Sequence, residues 1–256
     1  MSNPRIIGID AATVVGRIGL AMGDISEGQC LIHEALTCKD PVQQIARWIE
    51  QGPEVILLSV DAPLGWPTVL GQTLVDHEAG MAPGVPRKEA NRLFRRHTDI
   101  EIKARLGKQP LDVGADRIAR TAHSILCRLH TLSDHCKKAQ DLPLAWNLPL
   151  NAGCHLLEVY PAATLKAMRA PTRGYKKSTE EGRQARSVIV EWLQKELLID
   201  VNTEALIKSD DVLDATLCVL AGFDFLSGRA VGPSAEESSL AKKEGWIWCR
   251  RLPNIE

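Results

Sequence analysis

The sequence is marked first by what it leaves out. None of its 256 residues belongs to an apolar run approaching the roughly 20 that a membrane-spanning helix needs. The N-terminus carries no basic segment followed by an apolar stretch, so no secretory leader is read there and a cytoplasmic protein is expected. No C-x-x-C occurs. The seven cysteines (Cys30, Cys38, Cys127, Cys136, Cys154, Cys218, Cys249) are odd in number and widely spaced. That reads as reduced thiols, many of them core filler, rather than a disulfide framework or a structural zinc site. No H-E-x-x-H occurs either, and His130, His135 and Cys136 suit a solvated helix face better than zinc. The phosphate-loop pattern G-x-x-x-x-G-K-[ST], the dinucleotide pattern G-x-G-x-x-G and the hydrolase elbow G-x-S-x-G are all missing. Cys154 stands beside His155, but neighbours on a strand face opposite ways and make a poor dyad. The formal net charge of −1 gives no global basic footprint of the kind many DNA-binding domains show.

What is present is ordinary in bulk and patterned in detail. A composition of 45% hydrophobic and 25% charged residues is that of a globular protein. The length suits a single α/β domain over 1–256 with a mostly helical insertion at about 66–152. "RIIGIDAA", "VVGRIGLAMGD" and "GQCLIHEALTC" read as three strands in an antiparallel meander, with Gly23, Asp24 and Glu27–Gly28 marking the turn before the third. "DPVQQIARWIEQG" reads as a helix, capped by Asp40, opened by Pro41 and stopped by Gly52. "EVILLSVDAPLG" is an apolar run of the buried parallel type. Inside the insertion, "RKEANRLFRRH" and "ADRIARTAHSILCRLHTLSDHCKKA" read as helices. "CHLLEVYPAA" reads as a further strand, with Pro161 opening a short helix. The helix "STEEGRQARSVIVEWLQKELL" starts with a capping box, Ser178-x-x-Glu181. "SDDVLDATLCVLAGFDFLSG" is apolar all round after its first turn, which means a buried helix. "EGWIWCR" reads as a last edge strand.

Acids stand at the ends of these elements. Asp10 ends the first strand and Asp61 ends the strand after the first helix. Sites in open α/β sheets lie beyond the carboxyl ends of strands. If those two strands are parallel neighbours, the two carboxylates emerge side by side. Asp211 and Asp214, three apart, share a face of the buried helix, with Asp210 and Asp214 the competing pair. Helix-dipole effects account for Asp210 and Asp211 by themselves. An unpaired Asp214 within an apolar helix would cost several kcal/mol. Gathered carboxylates without matched cations suit a hard divalent ion, Mg²⁺ or Mn²⁺. Two such ions about 4 Å apart can activate water and stabilise the leaving oxygen of a phosphodiester.

"GIDAA", "SVDAPLGWP", "RRHTDIEIKARLG", "LEVYPAAT", "SDDVLDAT" and "EGWIW", taken in that order over nearly the whole chain, resemble the domain of unknown function 429 family of predicted nucleases. The resemblance implies a ribonuclease H-like α/β fold: a three-strand meander, a helix, parallel strands and closing helices. The layout is also similar to that of RuvC-type resolvases, which implies a two-metal site at Asp10, Asp61, Asp211 and Asp214. Here an aspartate, Asp61, replaces the fourth-strand glutamate usual in those enzymes. Glu158 becomes a candidate fifth ligand, its other reading being a strand-end carboxylate bonded to a nearby backbone N–H. Between Arg87 and Arg120 ten Lys/Arg face five Asp/Glu. This basic insertion suits phosphate contacts, with Arg92, Arg95, Arg96 and Arg105 as candidates and Lys176 and Lys177 behind them. The implied activity is a Mg²⁺- or Mn²⁺-dependent nuclease acting on DNA or RNA. A homodimer would suit a junction-cleaving enzyme, though no residue pattern demands one. Two rival readings are a sugar-kinase or actin-like phosphotransferase or ATPase, and a non-catalytic protein of the same fold.

Overall fold

The computed structural model describes residues 3–114 and 116–252. Its first elements are β1 (Arg5–Asp10), β2 (Gly19–Ser26), β3 (Gln29–Thr37), α1 (Pro41–Glu50) and β4 (Val55–Asp61). Between β4 and the next strand stand α2 (Thr68–Leu74), α3 (Asn91–Phe94), α4 (His97–Leu106) and α5 (Asp116–His135). Then follow β5 (Gly153–Glu158), α6 (Pro161–Ala167), α7 (Glu180–Leu193), β6 (Leu198–Ile199), α8 (Thr203–Lys208) and α9 (Asp210–Leu226). The last elements are β7 (Ala230–Val231), α10 (Ser238–Glu244) and β8 (Cys249–Arg250).

The main sheet has six strands in the order β5-β4-β1-β2-β3-β6. The meander β1–β2–β3 is antiparallel, while β4 runs parallel to β1 and β5 parallel to β4. The order and directions are those of the core that the resemblance implied: a three-strand meander with parallel strands beside it. Successive side chains on a strand face opposite ways, and β1 uses both faces. Ile6 packs with α7 and α9, including Ile189, Leu193, Leu213 and Leu220. Ile7 and Ile9 pack with Trp48 and Ile49 of α1 and Leu129 and Leu132 of α5. Helix α9 is buried from Val212 to Phe225, which explains its all-apolar sequence; each fully buried Leu or Phe contributes roughly 1.5–3 kcal/mol. Its approach to the sheet is close. A Cβ at Gly8 would run into the carbonyl oxygen of Ala215, and one at Gly19 into that of Asp211. Only glycine lets the helix lie this near the strands.

Four local expectations need correction. Gly23 and Asp24 lie inside β2, where the pairing with β3 shifts register after Met22, and the turn is Glu27–Gly28, both at positive φ. Asp24 stays in the strand because its carboxylate takes two hydrogen bonds from Arg5, at 2.7 and 2.9 Å. Thr179, not Ser178, caps α7 by accepting from the Gly182 amide. "EGWIWCR" does not edge the main sheet as a strand: Ile247 makes a single bridge to Glu158, while β8 pairs with β7 in a separate two-stranded sheet. The expected helix "RKEANRLFRRH" breaks into a turn at Arg87–Glu89, then α3 and α4. Beyond these, β6 was not anticipated; two residues are too short to carry a period. Ala115, at the head of the expected α5, lies outside the described residues. Among the described residues no helix is long and apolar enough to cross a membrane.

Candidate carboxylate site

Parallel pairing in register puts Asp10 directly beside Asp61 at the carboxyl ends of β1 and β4. Asp214, one turn into α9 and 1% exposed, completes the group. Ligand oxygens of Asp10, Asp61 and Asp214 all lie within 4.8 Å of one another. A carboxylate in a buried strand end therefore faces two more, and the cation beside them is Lys176, whose Nζ is 2.7 Å from Asp214 Oδ2. The Tyr175 hydroxyl donates to Asp214 Oδ1 at 3.1 Å.

The electrostatics follow from this crowding. Loss of water around Asp10, together with the charges of Asp214 and Asp61, holds its carboxyl well above the usual carboxylate range. Burial pushes Asp61 up to about 7, with Lys176 opposing and Asp214 adding to the rise. Asp214 is raised by burial although Lys176 and Tyr175 favour its charged form. Burial works against the Lys176 ammonium, yet Asp214 and Asp61 outweigh it and hold that group above its ordinary value. Three carboxylates kept this close, with one lysine, form a site short of positive charge.

Two expected ligands stand apart from this group. Asp211 is turned to Arg17, with two contacts of 3.0 Å, and Asp210 lies 3.7 Å from the same guanidinium. Glu158, at the end of β5, is held by Arg96 at 2.6 and 2.8 Å and accepts from the Leu64 amide at 3.0 Å. That fits its reading as a strand-end carboxylate bonded to backbone.

Arg96 corrects another expectation. It is 1% exposed and its guanidinium is fully occupied by Asp99, Glu158 and the Glu244 carbonyl. A side chain so enclosed cannot track phosphates; it ties α4 to β5 and to the "EGWIW" segment. Gly245 there has φ +87° and packs so closely that a Cβ would meet the Glu158 carboxylate. Of the other basic candidates, Arg92 pairs with Glu89 and Arg95 with Asp112. Arg105 reaches the Cys249 sulfur at 3.6 Å, and Lys177 lies 3.8 Å from Glu181.

A cleft of about 760 Å³ opens over the acids, with Asp10 and Asp61 in its lining and Lys108, Arg117, Lys176 and Lys177 among its walls. Arg92, Arg95 and Arg105 do not line it. Tyr175, Lys108 and Arg117 went unsingled in the sequence; only the local excess of basic residues pointed toward the last two. His97, Glu101 and Glu237 form a second gathering of ligand-type atoms. There, Glu237 is already committed to the His97 ring and the Ser234 amide, each at 2.7 Å.

A model of the family described as "Protein of unknown function (DUF429)" matches residues 8–238. The chain belongs to that family. No curated protein matches this DUF429 chain significantly. Among solved structures it is similar to T. thermophilus RuvC in complex with Holliday junction substrate. The two are 9% identical, the alignment covers 88% of this chain and 96% of that one, and the TM-score is 0.32. So loose a superposition carries no argument about the DUF429 chain, whose sheet order stands on its own strand pairing.

Proposed function

We propose that this protein is a nuclease that hydrolyses phosphodiester bonds with a Mg²⁺ or Mn²⁺ ion held by Asp10, Asp61 and Asp214. The observation that carries the reading is the meeting of three carboxylates, from β1, β4 and α9, two of which, Asp10 and Asp61, line a cleft that Lys108, Arg117, Lys176 and Lys177 also line. The donor set fits the ion: carboxylate oxygens only, close together and short of positive charge, are what a hard divalent cation selects. Such an ion supplies a polarised water and a counter-charge for the leaving oxygen.

The chain's own residues supply the rest. Asp10 and Asp61 are set side by side by a six-residue parallel register, so the backbone brings their carboxylates together. Asp214 is oriented by Tyr175 and Lys176. Lys108, Arg117 and Lys177 offer donors along the cleft, matching a phosphate backbone read by charge rather than by base. In the step itself a water oxygen bonds to phosphorus and gives up one proton, the bond to the leaving sugar oxygen breaks, and that oxygen takes up one proton, so the proton count is unchanged.

The test is a labelled panel of single-stranded, duplex and branched DNA and of RNA, incubated with Mg²⁺ or Mn²⁺, comparing wild type with Asp10→Asn. Metal-dependent cutting lost in the variant supports the reading and names the substrate. No cutting on any member, with a melting shift on adding Mg²⁺ and ATP, transfers the site to phosphotransfer.

A further inference from the structure

We infer that Lys176 is a fixed cationic group of the site, standing where a second metal would, so that the three carboxylates hold one divalent ion; this rests on the metal-site reading above. Four observations combine. First, ligands for a second ion are missing among the described residues near the cluster. Asp211 is turned to Arg17 and paired with it, and Glu158 is closed off by Arg96 and the Leu64 amide. Second, the Lys176 ammonium is already in contact with the cluster, 2.7 Å from Asp214 Oδ2.

Third, that contact is built rather than casual. The Lys176 side chain is 58% exposed along its length, and a free lysine would keep its rotamer entropy by pointing into water. Instead the backbone on both sides is clamped. Arg186 of α7, itself 3% exposed, donates to the carbonyls of Tyr175 and Lys177 and, at 2.6 Å, to that of Ile207. Tyr175 then bonds one oxygen of Asp214 and Lys176 the other.

Fourth, charge balances at one ion. Three ionised aspartates carry three negative charges, which one ammonium and one divalent cation cancel. A second divalent ion would leave a buried excess of two positive charges, or would have to expel Lys176 against the Arg186 clamp. With a phosphodiester bound, the ammonium can donate a hydrogen bond to a non-bridging phosphate oxygen. It thereby offsets the charge that a second ion would otherwise carry.

The experiment counts Mn²⁺ by electron paramagnetic resonance titration of the full chain, scoring only ions whose binding is lost in Asp10→Asn. One such ion per chain is expected. Lys176→Met, which keeps length and removes charge, should bind that ion at least tenfold more tightly, because a competing cation is gone. The same variant should cleave the best substrate of the panel at least tenfold more slowly at saturating Mn²⁺. Tighter ion with slower turnover separates this role from a structural one, which would loosen the ion. It also separates it from a placeholder expelled on loading, which would leave turnover unchanged. Two scored ions in the wild type, unchanged or weaker binding in Lys176→Met, or unchanged turnover would each overturn the inference. No scored ion in the wild type would overturn the metal-site reading itself, and this inference with it.

Discussion

Asp10→Asn isolates the electrostatic cost of the site, because it removes one of the three charges without touching Asp214, the acid that Tyr175 and Lys176 hold. Its oxygens lie within 4.8 Å of those of Asp61 and Asp214. At an effective dielectric of about 20, two unit charges at that spacing repel by about 3 kcal/mol. Lys176 offsets part of this and partial protonation relieves more, leaving on the order of 1–2 kcal/mol of strain at pH 8 without metal. For a domain this size each kcal/mol moves the Tm by about 2–4 °C. Asp10→Asn should therefore melt about 2–8 °C above wild type in EDTA at pH 8. At pH 5.5 the gap should shrink, since burial and the neighbouring carboxylates raise Asp10 and proton uptake by the cluster relieves the same repulsion in the wild type. With Mg²⁺ at about 100 times its Kd the wild type gains about 2.7 kcal/mol and the variant none, so the order of melting reverses. Thermal denaturation followed by circular dichroism reads all three conditions. A variant that melts below wild type in EDTA, or that gains as much from Mg²⁺, would refute the reasoning.

The metal-free wild type should itself be stabilised as pH falls from 8 toward 5. Carboxyls raised in the fold, with Asp61 near 7, bind protons there that the unfolded chain does not yet bind, and a flat Tm over that range would count against the cluster. The Mg²⁺-induced melting shift should fade as pH drops through about 7, and persistence at pH 5.5 would point to another ion site. Arg96→Met leaves Asp99 and Glu158 buried without their cation, a loss of about 3–5 kcal/mol, visible as a drop in urea midpoint. An unperturbed midpoint would mean that the guanidinium network does not hold the fold. Lys108→Ala with Arg117→Ala should reduce the slope of log binding constant against log salt for nucleic acid by about 2, whereas an identical slope would place both outside the phosphate path. Gly245→Ala should lower the Tm, because φ +87° and the Glu158 carboxylate both exclude a Cβ, and an unchanged Tm would show that the segment shifts freely.

The parts of this molecule legible in the sequence are those set by local pattern. An Ile-rich run ending in Asp10, a second apolar run ending in Asp61 and an all-apolar helix holding Asp214 each announce a buried element, and parallel neighbours bring their ends together without further instruction. Partners chosen across long sequence separations were not legible. Arg17 and Asp211 are 194 residues apart, and nothing near either one says that they pair. Arg96 looked like every other arginine of a basic segment, yet Asp99 three residues on and Glu158 sixty-two residues on enclose it. The capping box failed by one residue because Ser178 and Thr179 are both competent caps, and only the backbone decides between them.

The residues removed from the ligand and phosphate sets are what give the remaining ones their geometry. Asp61 ends β4, and the chain beyond it must turn away at once or the carboxylate would be covered. Glu158 enforces that turn by accepting from the Leu64 amide. It can stay ionised in the interior only because Arg96 lies on it; burial alone would raise its carboxyl further than it does. Arg96 in turn is held by Asp99 and by the Glu244 carbonyl, where Gly245 leaves room for the carboxylate. On the other flank, Arg17 removes Asp211 from the cluster by pairing with it. Each arginine thus weakens an acid's repulsion on the cluster, although Asp211 still raises Asp10 and Glu158 still raises Asp61. Asp10, Asp61 and Asp214 are left as three carboxylates without an arginine, and one lysine and one divalent ion can balance them.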